Sequence, residues 1–165
     1  MTSSGPILIA LGSNLGDRAA NLRAALRLMA SARVTPVRVS QAWESAPVPE
    51  GQPRFLNAVA AVETALLPHD LLDALKQIEQ ALGRRPSRRW GPRPIDLDLL
   101  FYDWIEASAP DLVIPHPRIA ERRFVLAPLS EVYPGPLPIL GRTALELLCE
   151  APPLGIRRTG ISLEG

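Results

Sequence analysis

Residues 88–102, RRWGPRPIDLDLLFY, join an arginine-rich loop broken by two prolines to an apolar run that carries two aspartates. The run at 95–102 has the length and the aliphatic and aromatic content of a strand. Side chains alternate along a strand, so Ile95, Leu97 and Leu99 point one way and Asp96 and Asp98 the other. The apolar row belongs against helices, which leaves both aspartates on the opposite face, about 7 Å apart. Carboxylates that close repel each other unless a cation or a proton lies between them.

The segments before this strand give it neighbours. Pro68 opens a helix, Leu71, Leu75, Ile78 and Leu82 keep its spacing, and Gly83 ends it. Residues 55–66, FLNAVAAVETAL, read as a long strand, and 44–54, with three prolines and a glycine, as a loop. Residues 37–43 alternate, with Val37, Val39, Gln41 and Trp43 on one face and Arg38, Ser40 and Ala42 on the other. Further upstream, 6–11 (PILIAL) is a buried strand and 12–16 a glycine turn. Asp17 is an N-cap, and Leu22, Ala25, Leu26 and Met29 form a helical stripe.

The order through residue 102 is therefore βαββαβ. It predicts a ferredoxin-like α+β sandwich, an antiparallel sheet with both helices on one face. After it come a turn at 108–111, a short extended LVIP, the pieces HPRIAERR and FVLAPL, and a last helix at 143–149. These additions are available to the other face. The chain is expected to form one domain, 1–165, with its core in 6–149 and a loosely attached tail at 150–165.

Bulk properties exclude several classes. A net charge of +1 over 165 residues gives no global pull toward nucleic acid or anionic lipid. No apolar run approaches the roughly 20 residues that span a bilayer. The one cysteine, Cys149, permits no intramolecular disulfide and no cysteine metal site, and its helical pattern places it in the core. A cytoplasmic protein is expected, without membrane or nucleic-acid partners.

Local charge carries the chemistry instead. Magnesium prefers oxygen ligands and takes one or two carboxylates plus substrate phosphates, which a D-x-D pair on a rigid strand supplies. A D-x-D pair alone also suits a solvated edge strand. The preceding loop adds Arg84, Arg85, Arg88, Arg89 and Arg93 around Trp90, donors for phosphate oxygens beside an aromatic face. A basic loop leading into two carboxylates fits a metal–polyphosphate site better than RNA, whose phosphodiesters the aspartates would repel. Asn57, polar among FLNAVAAV, can donate to and accept from a heterocycle. GSNLGD lacks the lysine of a P-loop and reads as a turn and cap. His116, between two prolines, is expected to be exposed, and no histidine spacing marks a zinc site.

Five stretches, LGSNLGDR, GQPRFLNAV, LLDALKQIEQALGR, RWGPRPIDLDLL and IPHPRIAERRFVLAPL, together resemble the 6-hydroxymethyl-7,8-dihydropterin pyrophosphokinase family of folate biosynthesis. The resemblance covers most of residues 7–130. It implies transfer of pyrophosphate from ATP to the pterin hydroxymethyl group with release of AMP, and two Mg²⁺ ions held by Asp96 and Asp98. It further implies that Phe55 and Phe124 sandwich the pterin, that Asn57 hydrogen-bonds it, and that Ser45, Ala46, Val48 and Trp90 border it. Arg84, Arg93, His116 and Arg122, with Trp90, Lys76 and Glu79, are implied on the nucleotide, Arg84 and Arg93 in a catalytic role. The loops after Ser45 and Gly83 are shorter than in some relatives, and Lys76 stands where some have glutamine. The partners implied are the two small substrates, with a monomer expected. Two other readings of the same residues are an RNA-binding domain and a non-catalytic module that holds a metabolite. Filter binding at low salt separates the first, and nucleotide consumption the second.

Overall fold

The computed structural model describes residues 5–47, 51–83 and 93–163. Strand β1 (Ile7–Ser13) lies inside the sheet, antiparallel to the central β4 (Phe55–Glu63) on one side and to the edge strand β5 (Asp96–Tyr102) on the other. A strand covered on both faces needs a near-continuous apolar run, and ILIALGS provides it. Beyond β4 come β2 (Thr35–Val39) and β3 (Trp43–Ser45), and β8 (Ile156–Arg158) pairs with β3 to complete the order β5-β1-β4-β3-β8. A hairpin of β6 (Ala107–Ala109) and β7 (Leu112–Ile114) stands apart.

Helices α1 (Arg18–Ser31) and α2 (Pro68–Ala81) cover one face, as the sequence predicts for a ferredoxin-like sandwich. Asp17 caps α1, its carboxylate accepting from the Ala20 amide at 3.1 Å. Pro68 occupies the first turn of α2, and Gly83, at φ 95°, follows its end. Leu22, Ala25, Leu26, Met29, Leu71, Leu75 and Ile78 pack with Leu97 and Leu99. The other face is half covered by α3 (Arg123–Val132) and α4 (Ala144–Glu150), whose Val125, Leu126, Leu129 and Leu147 meet Leu8, Val59, Leu100 and Phe101.

A β-bulge divides β5. Leu8 pairs with Phe101 and Ile9 with Leu99, so Leu100 is an extra residue. Before the bulge Leu97 and Leu99 face α1 and α2. After it Leu100 and Phe101 face α3 and α4, and Tyr102 returns to the first core. Phe101→Ala is expected to cost about 3–5 kcal/mol in urea denaturation, because Phe101 is 1% exposed and a smaller residue leaves a cavity.

Four expectations are corrected. The strand expected at 37–43 is two strands. A shift in register between Pro36 and Arg38 turns Val37 outward, 54% exposed, and Ser40 and Ala42 inward. Ser40 is accommodated because its amide donates to the Val59 carbonyl and its hydroxyl accepts from the Val59 amide, both at 3.0 Å. FVLAPL lies in one helix, which runs through Pro128. Cys149 is exposed, since the apolar stripe of α4 falls on Ala144 and Leu147. The tail is attached: β8 adds to the sheet edge, the Ala42 amide donates to the Ile161 carbonyl, and Leu163 is buried. Its few core residues are spread along a short strand and the irregular segment after it, a pattern too sparse for periodicity to register.

Candidate active site

The half of the sheet face that α3 and α4 leave uncovered holds a cavity of about 420 Å³. Strand pairing lays its floor out as a row. Asp96 pairs with Gly12, Gly12 with Asn57, and Asn57 with Trp43. Two strand spacings separate Asp96 from Asn57, about 10 Å. Asp98 stands level with Ala10 in the next row. Alternation from β5 through β1 and β4 therefore brings the carboxylates, Phe55 and Asn57 to one face.

Gly12 is the residue whose role the sequence does not disclose. It is a strand residue, not part of the turn. A Cβ there would lie 3.5 Å from Asn57 Oδ1 and 3.6 Å from Phe55 Cδ1. Glycine keeps the middle of the row open. Ala10 and Gly12, small residues two apart on a buried strand, are the signal that strand parity makes readable.

Asn57 is 4% exposed and firmly oriented. Its amide nitrogen donates to the Trp43 carbonyl at 3.1 Å and to Ser45 Oγ at 2.8 Å. Both N–H groups are used, so the carbonyl oxygen is left facing the space over Gly12, able to accept a hydrogen bond there. Phe55 and Phe124 both line the cavity, and the Arg122 guanidinium carbon lies 5.7 Å from the Phe124 ring centroid.

Arginines meet the carboxylates at the β5 end. Arg93 Nη1 is 3.5 Å from Asp96, and Arg122 Nη1 is 3.9 Å from Asp98. The lining also includes Arg118 and Glu121, which sequence reasoning did not single out and which reach the site on a 3₁₀ turn. Among the described residues three acidic and three arginine side chains thus line it. Two hard carboxylates, half-exposed and facing the space, fit a divalent cation that takes its remaining ligands from phosphates and water. Among the described residues no group of three His, Cys, Asp or Glu forms a closed protein cage.

Asn14 joins the edges of the site. Its side-chain oxygen accepts from the Arg93 amide at 2.7 Å, and its amide nitrogen donates to Gln52 Oε1 and the Pro53 carbonyl, both at 3.3 Å. Gln52 lines the cavity as well.

Ser45, Ala46, Phe55, Asn57, Arg93, Asp96, Asp98, Arg122 and Phe124 come together around the one cavity. Lys76 is exposed on α2, outside the lining. Glu79 is buried, and its carboxylate accepts from the Leu97 amide at 2.7 Å, between the two aspartates. Val48, Arg84 and Trp90, with Arg85, Arg88 and Arg89, lie outside the described residues.

His116, expected to be exposed, is half-buried beside the site. Its amide donates to the Leu100 carbonyl at 3.0 Å, and its Nδ1 accepts from the Arg118 amide at 3.2 Å. Burial lowers its pKa to about 4, assisted by Arg122 and Arg118 and opposed by Asp96. The folded state therefore holds the neutral imidazole. As pH falls from about 6.5 to about 4 the unfolded chain binds a proton that the folded chain refuses, so stability is lost across that window. Urea midpoints between pH 7 and pH 4 are expected to fall less steeply in His116→Gln than in the parent.

Comparison with known proteins identifies the family. The family model described as 7,8-dihydro-6-hydroxymethylpterin-pyrophosphokinase (HPPK) matches residues 8–134. The 2-amino-4-hydroxy-6-hydroxymethyldihydropteridine pyrophosphokinase of Methylorubrum extorquens is 45% identical over 152 residues, 91% of this chain and 96% of that protein. The mitochondrial folate synthesis bifunctional protein of Arabidopsis thaliana is 51% identical over 127 residues, 76% of this chain. The chain spans only 23% of that plant protein's length. A triple-mutant HPPK-DHPS of Plasmodium falciparum shares the fold, with a TM-score of 0.70 at 16% identity over 90% of this chain and 44% of that one. The chain belongs to the 7,8-dihydro-6-hydroxymethylpterin-pyrophosphokinase family.

Proposed function

We propose that this protein transfers pyrophosphate from ATP to the hydroxymethyl group of 6-hydroxymethyl-7,8-dihydropterin, giving the pterin diphosphate and AMP. The observation that carries this reading is one cavity with two unlike ends. Asp96, Asp98 and three arginines stand at the β5 end, and Phe55, Phe124 and Asn57 a strand or two away. That is the layout of a phosphate donor beside a flat heterocyclic acceptor.

The residues divide the work by position. Asp96 and Asp98 would hold two Mg²⁺ ions together with the triphosphate. Those ions neutralise phosphate charge and orient the β-phosphorus when bound. Phe55 and Phe124 bracket the pterin ring, and the Asn57 carbonyl accepts from its N–H groups. Ser45 fixes Asn57 through the 2.8 Å hydrogen bond, and Ala46 borders the ring. The acceptor hydroxyl oxygen bonds to the β-phosphorus as the bond to the α,β-bridging oxygen breaks. Its proton leaves, and AMP departs with the bridging oxygen. Arg93 and Arg122, beside the two carboxylates, are placed to bind phosphate oxygens bidentately. Catalysis of this kind rests on positioning and electrostatics, which the rigid floor provides.

Arg84, Trp90 and Val48 complete the nucleotide and pterin contacts in this reading, with Lys76, Glu79 and His116 at the nucleotide's margin. Glu79 acts through the backbone of β5. The protein works as a single domain and a monomer in the cytoplasm, on small molecules alone. Among the described residues no helix is long and apolar enough to cross a membrane.

The test is incubation with ATP, Mg²⁺ and the dihydropterin, followed by ³¹P NMR. Pterin-dependent AMP without ADP is expected. ADP as product would mean transfer of a single phosphoryl group, and no consumption by the folded protein would favour a module that only binds.

A further inference from the structure

Residues 152–154, ahead of β8, also line the cavity, a stretch with no part in the chemistry described so far. They are held in place from the strand that follows. The Ala46 amide donates to the Gly155 carbonyl at 3.0 Å, Ile156 pairs with Ser45, and Arg157 reaches Glu44 Oε1 at 2.9 Å. The Glu44 carboxyl is held below its usual range chiefly by that hydrogen bond from Arg157, with Arg18 adding to it against the effect of burial. Pro152 and Pro153 fix the backbone ahead of Leu154 and offer no N–H to a ligand. Leu154 itself is half-buried. The rim is thus apolar, stiff and tied to β3.

Its place in the strand order gives it a direction. The phosphate-handling end lies at β5, Asn57 lies on β4, and the rim follows beyond β3. A pterin whose hydroxymethyl group faces β5 must point the far end of its bicycle, the 2-amino-pyrimidine end, away from β5 and toward this rim. Asn57 and Ser45 offer polar contacts there, and Leu154 offers only bulk.

We propose that Leu154 is a specificity-determining residue that limits the size of the acceptor at the ring end remote from its hydroxymethyl group. The proposal rests on the acceptor orientation given above. It concerns which acceptors fit, not how fast the chemistry runs once they do.

The experiment compares two acceptors, 6-hydroxymethyl-7,8-dihydropterin and the same molecule with an ethyl group on its 2-amino nitrogen. Pterin-dependent AMP is measured for the parent protein, Leu154→Ala and Leu154→Met. In Leu154→Ala, kcat/KM for the ethylated acceptor relative to the ordinary one is expected to rise about tenfold, the effect of removing a steric block in an apolar pocket. The KM for ATP should stay at the parent value. Leu154→Met, of similar volume, should keep the parent preference. An unchanged ratio in Leu154→Ala overturns the proposal, and so does an equal fall for both acceptors, which is what a purely structural residue gives. A parent protein that forms no AMP with the ordinary acceptor overturns the pterin site as well.

Discussion

Asp98→Ala is expected to fold like the parent and to form pterin-dependent AMP at least about a thousandfold more slowly, a loss of about 4 kcal/mol of barrier stabilisation. The two halves of that result have separate causes. Asp98 is half-exposed on the cavity floor, and its described contact is Arg122 at 3.9 Å. Ion pairs this open contribute little to stability. Its removal also relieves repulsion from Asp96 on the same face. The urea midpoint should therefore stay within about 0.5 kcal/mol of the parent. In the proposed mechanism both carboxylates hold the cations, so the loss of either should be felt in turnover. Asp96→Ala should behave alike. A variant of either position that kept a near-parent rate would remove the metal role from this strand.

Asn57→Ala is expected to lower kcat/KM for the pterin on the order of a hundredfold while leaving the KM for ATP nearly unchanged. The side chain is buried, and both its N–H groups are spent on Trp43 and Ser45. Truncation removes the acceptor oxygen and also leaves the Trp43 carbonyl without its side-chain donor. Some stability must therefore fall with activity. The KM split distinguishes recognition from loosening, since a merely loosened floor would affect both substrates. Equal losses for pterin and ATP would place Asn57 in the scaffold alone.

The strand carrying the aspartates was legible because its two faces differ in chemistry residue by residue. Ile95, Leu97 and Leu99 are apolar and the residues between them are charged, so parity alone separates core from cavity. Phe55 and Asn57 followed by the same rule on β4. Parity failed where pairing shifted. Val37 points outward because of a displacement at Pro36 that depends on a partner strand about 25 residues away in sequence. Arg118, Glu121 and residues 152–154 were illegible for a related reason. Nothing local marks them, and only the sheet order and the 3₁₀ turn bring them to the cavity. His116 was misjudged because flanking prolines fix a backbone without stating what packs against it.

The hydrogen bond from the Leu97 amide to Glu79 bears on how the site keeps time. Ile95, Leu97 and Leu99 are buried and anchored in the core, and the two carboxylates ride between them. Their amides should exchange with deuterated solvent only when the whole domain opens. The carboxylate end of the site is consequently assembled once, at folding, and need not be reassembled in each catalytic cycle.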